Sequence, residues 1–134
     1  FRIGCDMRQR DNDYALLRKT AADFRRIESS LIGDFYPLTA YSTNADVWMA
    51  WQFDRPESGQ GVVQAFRRGE GAAPSTNLTL RGLDPATMYS IADIDADEPR
   101  RMAGRTLIDQ GLRLSAPNAP AAIVITYCRE KSER

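Results

Sequence analysis

Side chains able to do chemistry are few and scattered in this chain. There is no histidine, which removes the commonest acid/base group and metal ligand at neutral pH. Carboxylates remain. Asp6 follows a short, mostly apolar run, Phe1 to Cys5, and a carboxylate at the end of a strand can be catalytic. Carboxylate catalysis works in pairs, however, and no second carboxylate is visibly paired with Asp6, so it reads as an ion-pair residue beside Arg8 and Arg10. Asp93, Asp95, Asp97 and Glu98 are a denser cluster. They lack the central Gly and terminal Glu of a helix-loop-helix calcium site and read as a solvated hairpin tip, so no metal or cofactor is expected. Trp48 and Trp51, with Tyr41 nearby, could offer an aromatic platform to sugar rings. Cys5 and Cys128 stand at opposite ends of the chain and form no CxxC motif; two buried free thiols are expected, with a terminal disulfide as the alternative. Asn77-Leu78-Thr79 matches the N-glycosylation pattern, but inside a predicted strand.

The elements that must position these groups centre on Val47 to Arg68. Two apolar, aromatic and β-branched segments, Val47 to Phe53 and Gly61 to Phe66, flank DRPESGQ, the pattern of a β-hairpin. Alternation puts Val47, Met49, Trp51 and Phe53 on one face and Trp48, Ala50 and Gln52 on the other. The first set is expected in the core. Trp51 is then a core residue, while Trp48, with Tyr41, is a candidate surface residue for sugar or interdomain contact.

Before the hairpin, Tyr14, Leu17, Ala21, Phe24, Ile27 and Leu31 recur every three or four residues. This predicts an amphipathic helix over 13–32, capped from Asp11, Asn12 or Asp13 and ended by Gly33. Such a stripe needs a surface, either its own sandwich or the same stripe of a second copy. A homo-oligomer is the expectation, because the β domain should have its own closed core. Beyond Gly33 the period changes to two. Phe35 to Tyr41, Thr76 to Leu80, Met88 to Ile94, Arg101 to Leu107, Gly111 to Ser115 and Ala121 to Cys128 are predicted strands, separated by turns such as Gly82-Leu83-Asp84-Pro85. The fold class is therefore mainly β, an antiparallel β-sandwich of Greek-key type preceded by one amphipathic α-helix, with a boundary near Gly33. Leu80 to Pro85 with Tyr89 resembles the tyrosine corner of fibronectin-like interaction modules, but too many strands follow Tyr89 for that fold.

Composition narrows the partners. Eighteen basic residues balance eighteen acidic ones, so no global field attracts nucleic acid or an anionic membrane. No apolar run approaches the roughly 18 residues of a membrane span. The start FRIGCDMRQR lacks the order of a signal peptide, which favours a cytoplasmic location, and the absence of an initial Met suggests a piece of a longer protein.

One set of residues carries a likeness to a family. Gly33-Asp34-Phe35-Tyr36-Pro37-Leu38-Thr39, Tyr41-Ser42, Trp48-Met49-Ala50-Trp51-Gln52-Phe53, Arg55-Pro56 and Val63-Gln64-Ala65-Phe66-Arg67-Arg68 resemble, in order and spacing, the tail of α-galactosidase-type enzymes of glycoside hydrolase family 36. Leu80 to Pro85, Tyr89, Asp93, Gly104, Gly111-Leu112 and Ile125-Thr126-Tyr127 continue the likeness over nearly the whole chain. The resemblance implies that residues 1–33 are the last strand end and final helix of a truncated (β/α)8 catalytic barrel, and that 34–134 are a C-terminal antiparallel β-sandwich. The partner is then the upstream catalytic barrel of the same polypeptide, and the α-galactoside substrate is bound there rather than by this chain. In the family the nucleophile is an Asp in a motif resembling W-D-M-N. Cys5-Asp6-Met7-Arg8 lacks the Trp and the Asn, so no catalytic role passes to Asp6. The implied function is a non-catalytic domain that stabilises or helps assemble a retaining glycoside hydrolase. A carbohydrate-binding module using surface aromatics is the alternative.

Overall fold

The computed structural model describes residues 6, 8–96 and 98–131. Helix α1 spans Tyr14–Ile27. The Asp13 carboxylate caps it by accepting from the Leu16 amide at 2.9 Å, and Arg25 and Arg26 occupy the last turn, where the helix dipole favours cations. The helix is shorter than the 13–32 span its periodicity predicts. Glu28 is the C-cap, and residues 28–33 continue as separate turns, with the Ser30, Leu31 and Gly33 amides bonded to the Ile27, Glu28 and Ser30 carbonyls. Gly33 answers to close packing and not to helix termination, since a Cβ there would stand 2.3 Å from the Asp54 carbonyl oxygen. Ile32, beyond the true end, is exposed.

Strands β1 (Asp34–Pro37), β2 (Trp48–Arg55), β3 (Gln60–Arg67), β4 (Ser75–Leu78), β5 (Met88–Asp93) and β6 (Arg100–Ala103) precede a short helix α2 (Gly104–Asp109), then β7 (Leu112–Ser115) and β8 (Ala121–Arg129). The large sheet has six strands in the order β1-β2-β3-β8-β5-β6, and β4 pairs with β7 in a second sheet. Every pairing is antiparallel. The predicted strand Arg101 to Leu107 thus breaks midway. A Cβ at Gly104 would lie 2.0 Å from the Asp84 carbonyl oxygen, and the chain turns there into α2, which delivers Leu107 to the core with no exposure.

The small sheet and its flanking loops cover the inner face of the large one. Leu78, Leu112 and Leu114, with Leu80, Leu83 and Leu107, pack in one cluster with Trp48, Val63, Tyr89, Ile91, Ile125 and Tyr127. Strand β2 enters this core with the opposite phase to the expected one. Trp48, Ala50, Gln52 and Asp54 are buried, whereas Met49, Trp51, Phe53 and Arg55 are only partly so. The hydrophobicity of alternate residues misleads here because the inner face accepts two polar side chains whose hydrogen bonds the fold supplies. The outer face meanwhile carries an apolar strip with only partial cover. On it Phe35 meets Phe53 at 5.3 Å and Trp51 meets Phe66 at 5.2 Å between ring centroids.

Helix α1 lies against the outer face of its own sandwich. Lys19 Nζ reaches Asp95 at 2.7 Å, Arg26 donates to the Ile94 carbonyl at 3.2 Å, and Arg55 donates to the Ser29 carbonyl at 3.2 Å. Ile27 and Val62 are buried outside the main core, and alternation places Val62 on this face. The stripe thus finds a surface within its own chain, on the second face of the sheet. Leu16, by contrast, remains 57% exposed.

Candidate functional site

Asp6 is held by Arg8 in a two-point ion pair, Nε to Oδ1 and Nη2 to Oδ2, each 3.0 Å. The neighbouring guanidinium lowers the Asp6 carboxyl below its ordinary value, which suits a permanent anion rather than a proton donor. In the acidic cluster, Asp93 Oδ1 accepts from the Asp95 amide at 3.0 Å and Asp95 pairs with Lys19. Glu98 is exposed; Asp97 lies outside the described residues. Among the described residues no group of three His, Cys, Asp or Glu side chains is placed to hold a metal ion. Cys128 is a free thiol but exposed rather than buried as expected, because its place on β8 turns it away from the core that holds Tyr127; Cys5 lies outside the described residues. Asn77, on β4, donates its side-chain amide to the Gln110 carbonyl.

The two aromatic candidates part company. Trp48 is 7% exposed, and its indole N–H donates to the Ala73 carbonyl at 2.8 Å, so it serves the interior and offers nothing to a sugar ring at the surface. Tyr41 is 93% exposed. It projects from a loop anchored below it by Arg68, whose guanidinium donates to the carbonyls of Ser42, Asn44 and Val47.

Sequence reasoning missed the densest polar constellation, which lies inside the sandwich. Gln52 and Asp54, neighbours on the inner face of β2, meet Tyr127 of β8. Gln52 Nε2 donates to Tyr127 Oη at 2.7 Å and to the Arg81 carbonyl at 2.8 Å, while its Oε1 accepts from the Arg81 amide at 2.9 Å. The Tyr127 hydroxyl in turn donates to Asp54 Oδ1 at 2.5 Å. Asp54 Oδ2 is buried with no partner. Burial raises the Asp54 carboxyl above its ordinary value, Tyr127 opposes the rise, and the nearby charges of Asp34 and Glu57 add to it. The Tyr127 hydroxyl is pushed up too, first by burial and then by Asp54. Space around the hydroxyl is tight, for a Cβ at Gly61 would come within 2.1 Å of it. The group can hold a proton, but no substrate can reach it. Its sequence signal was a Gln and an Asp in phase with Trp48, a pattern that also describes a wet strand face.

Arg67 is the second missed residue. Only 4% exposed, it spreads five hydrogen bonds over the carbonyls of Glu70, Ala72, Ala116 and Pro117. It ties the loop after β3 to the loop before β8. Tyr89 does similar work nearby: its Oη accepts from the Asp84 amide at 3.0 Å, as in a tyrosine corner. Strands β6, β7 and β8 still follow, so the corner is a local device without the fibronectin strand order.

Two grooves remain. One of about 310 Å³ runs between α1 and the sheet beside Arg26, Ser30, Thr126 and Cys128. Another of about 320 Å³ opens between the sheets, with Asp93, Glu98, Arg100 and Arg113 around an isoleucine floor.

These parts define an unequal antiparallel β-sandwich whose buried polar groups brace loops. Residues 48–126 match the glycosyl hydrolase family 36 C-terminal domain, and the chain belongs to that family. Solved structures agree on the fold. The chain is similar to the family 36 α-galactosidase AgaA of Geobacillus stearothermophilus, with a TM-score of 0.73 and 20% identity over 92% of this chain and 17% of that one. For AgaB of the same organism the TM-score is 0.69 and the identity 23%, over 87% and 16% of the two chains. For the α-galactosidase of Lactobacillus brevis they are 0.70 and 17%, over 90% and 17%. The chain thus spans about one sixth of the length of these enzymes. No curated protein is significantly similar to it in sequence.

Proposed function

We propose that residues 34–134 are the non-catalytic C-terminal β domain of an α-galactosidase-type glycoside hydrolase, and that residues 1–33 close a (β/α)8 catalytic barrel lying upstream in the same polypeptide. The observation that carries this reading is coverage: a chain of this family that accounts for 16–17% of the enzymes it resembles leaves ample length for a barrel elsewhere. The chemistry is in keeping. Gln52, Arg67, Arg68 and Tyr127 are engaged by the fold itself, and Asp6 is committed to Arg8. Hydrolysis with retention needs two carboxylates about 5 Å apart beside a sugar-shaped pocket, and in this reading the barrel supplies both and binds the α-galactoside. The β domain covers the flank of the barrel through its partly covered aromatic face and Tyr41, and stabilises or helps assemble it.

The chain alone should not hydrolyse an aryl α-galactoside above the blank rate. Turnover that survives rigorous purification and vanishes on Asp6→Asn would overturn the assignment. The exposure of Tyr41 favours one second reading, a sugar-binding module. Titration with galactose and α-galactosides separates the two: saturable binding lost on Tyr41→Ala makes the chain a lectin-like module, and no binding leaves the supporting role.

A further inference from the structure

We propose that Asp54 is a proton-controlled latch: neutral, it lies closed beneath the Arg81–Leu83 turn, and on ionisation it loosens that turn from the sheet. The geometry is that of a carboxyl in a dead end. Its Oδ1 has the Tyr127 hydroxyl at 2.5 Å, while Oδ2 is buried without a partner and faces Gly82. A Cβ at Gly82 would be 2.8 Å from Oδ2, and its φ of +74° lets the turn pass this close above the carboxyl. A neutral carboxyl tolerates such a lid, whereas a carboxylate needs donors on both oxygens or water. Water is reached most directly by lifting the turn.

The surroundings give the anion little help. Opposite Asp54, β1 places Asp34. Glu57, in the β2–β3 turn, adds another negative charge. Arg55 is the adjacent cation on β2, but it is turned to Glu57 at 2.6 Å and to the Ser29 carbonyl. From the turn, Arg81 offers Gln52 its backbone. Tyr36 of β1 stands beside Gly82, and Tyr89 of β5 meets Tyr127 edge-on at 6.0 Å, its hydroxyl engaged by Asp84. A single hydroxyl therefore stands against burial and two like charges. Because the folded state favours the protonated form, the stability Asp54 contributes is complete below the ordinary carboxyl range and is lost as pH rises through its raised value.

The test follows the 134-residue chain from about pH 4 to about pH 8, the interval above an ordinary Asp. The melting temperature of the wild type minus that of Asp54→Asn should fall as pH rises. Protection of the Arg81 amide, corrected for intrinsic exchange, should fall over the same interval while that of Val63 in the sheet does not. Tyr127→Phe, which removes the bond that holds the anion, should move the fall to higher pH. If Asp54→Asn fails to fold, the carboxyl-carbon NMR titration of Asp54 in the wild type replaces it, with a midpoint above the ordinary Asp value expected. A midpoint at or below that value overturns the proposal, as does Arg81 protection that stays constant while Asp54 ionises.

Discussion

Arg67 shows how much one side chain can organise. Five N–H···O=C bonds radiate from one planar group, and Lys has neither the fork nor enough donors to copy them. Arg67→Ala should cost about 3 kcal/mol or more in denaturant unfolding, since it orphans buried carbonyls, and Arg67→Lys should recover only part of this. At the same scale, the tryptophans should answer opposite to their sequence reading. Trp48→Ala is expected to cost about 3–5 kcal/mol, as for a buried aromatic. Trp51→Ala should cost clearly less, because Trp51 is only partly covered and its indole N–H goes to Gln64 at 2.8 Å. Equal losses in the two variants would sink this distinction. Alternation in β2 was legible in the sequence but its phase was not. Hydropathy counts Gln52 and Asp54 as outward residues, whereas their place inside depends on Tyr127, 75 and 73 residues away. No local pattern encodes such a partner.

Among the elements, α1 shows what periodicity can and cannot resolve. Its existence, a cap among Asp11, Asn12 and Asp13 and its apolar stripe were readable from sequence, whereas its end was not, because Leu31 continues the stripe after the helical hydrogen bonds have given way to three-residue turns. The surface it meets was equally hidden, being assembled from β3, β5 and β8. An isolated helix of this length is marginal in water, so docking should hold it in place. Ile27→Asp places a charge at the buried end of the contact; far-UV circular dichroism should lose helical signal while the near-UV band of Trp48 persists. Loss of both together would mean that helix and sheet form one inseparable unit. Lys19→Ala should leave the denaturant midpoint nearly unchanged, because both partners of its pair with Asp95 are more than half exposed. The break at Gly104 belongs to the same class of hidden information: the strand pattern continues to Leu107, but the Asp84 carbonyl occupies the space that any side chain at position 104 would need.

For the molecule as a whole, the mainly antiparallel β class with its preceding helix was legible because alternation and turn residues recur along the chain, and collinear motifs pointed to family 36. The division into six strands and two was not legible, since nothing in the local sequence says which strands pair. The partly covered strip of Phe35, Trp51, Phe53 and Phe66 carries a prediction at this scale. In the longer polypeptide proposed above, Trp51 fluorescence should be shifted to the blue and shielded from a soluble quencher, compared with this chain alone; identical emission would mean that the strip is not where the proposed barrel sits. The strand order has a further consequence, for synthesis on the ribosome. β8, the last of these strands to be translated, lies between β3 and β5. Until residues 121–129 have emerged from the exit tunnel, the sheet exists only as two separate fragments, each with an unsatisfied edge. The nascent chain must therefore wait, with those edges open to chaperones or to aggregation, for a closing strand that arrives last and joins the two halves in one step.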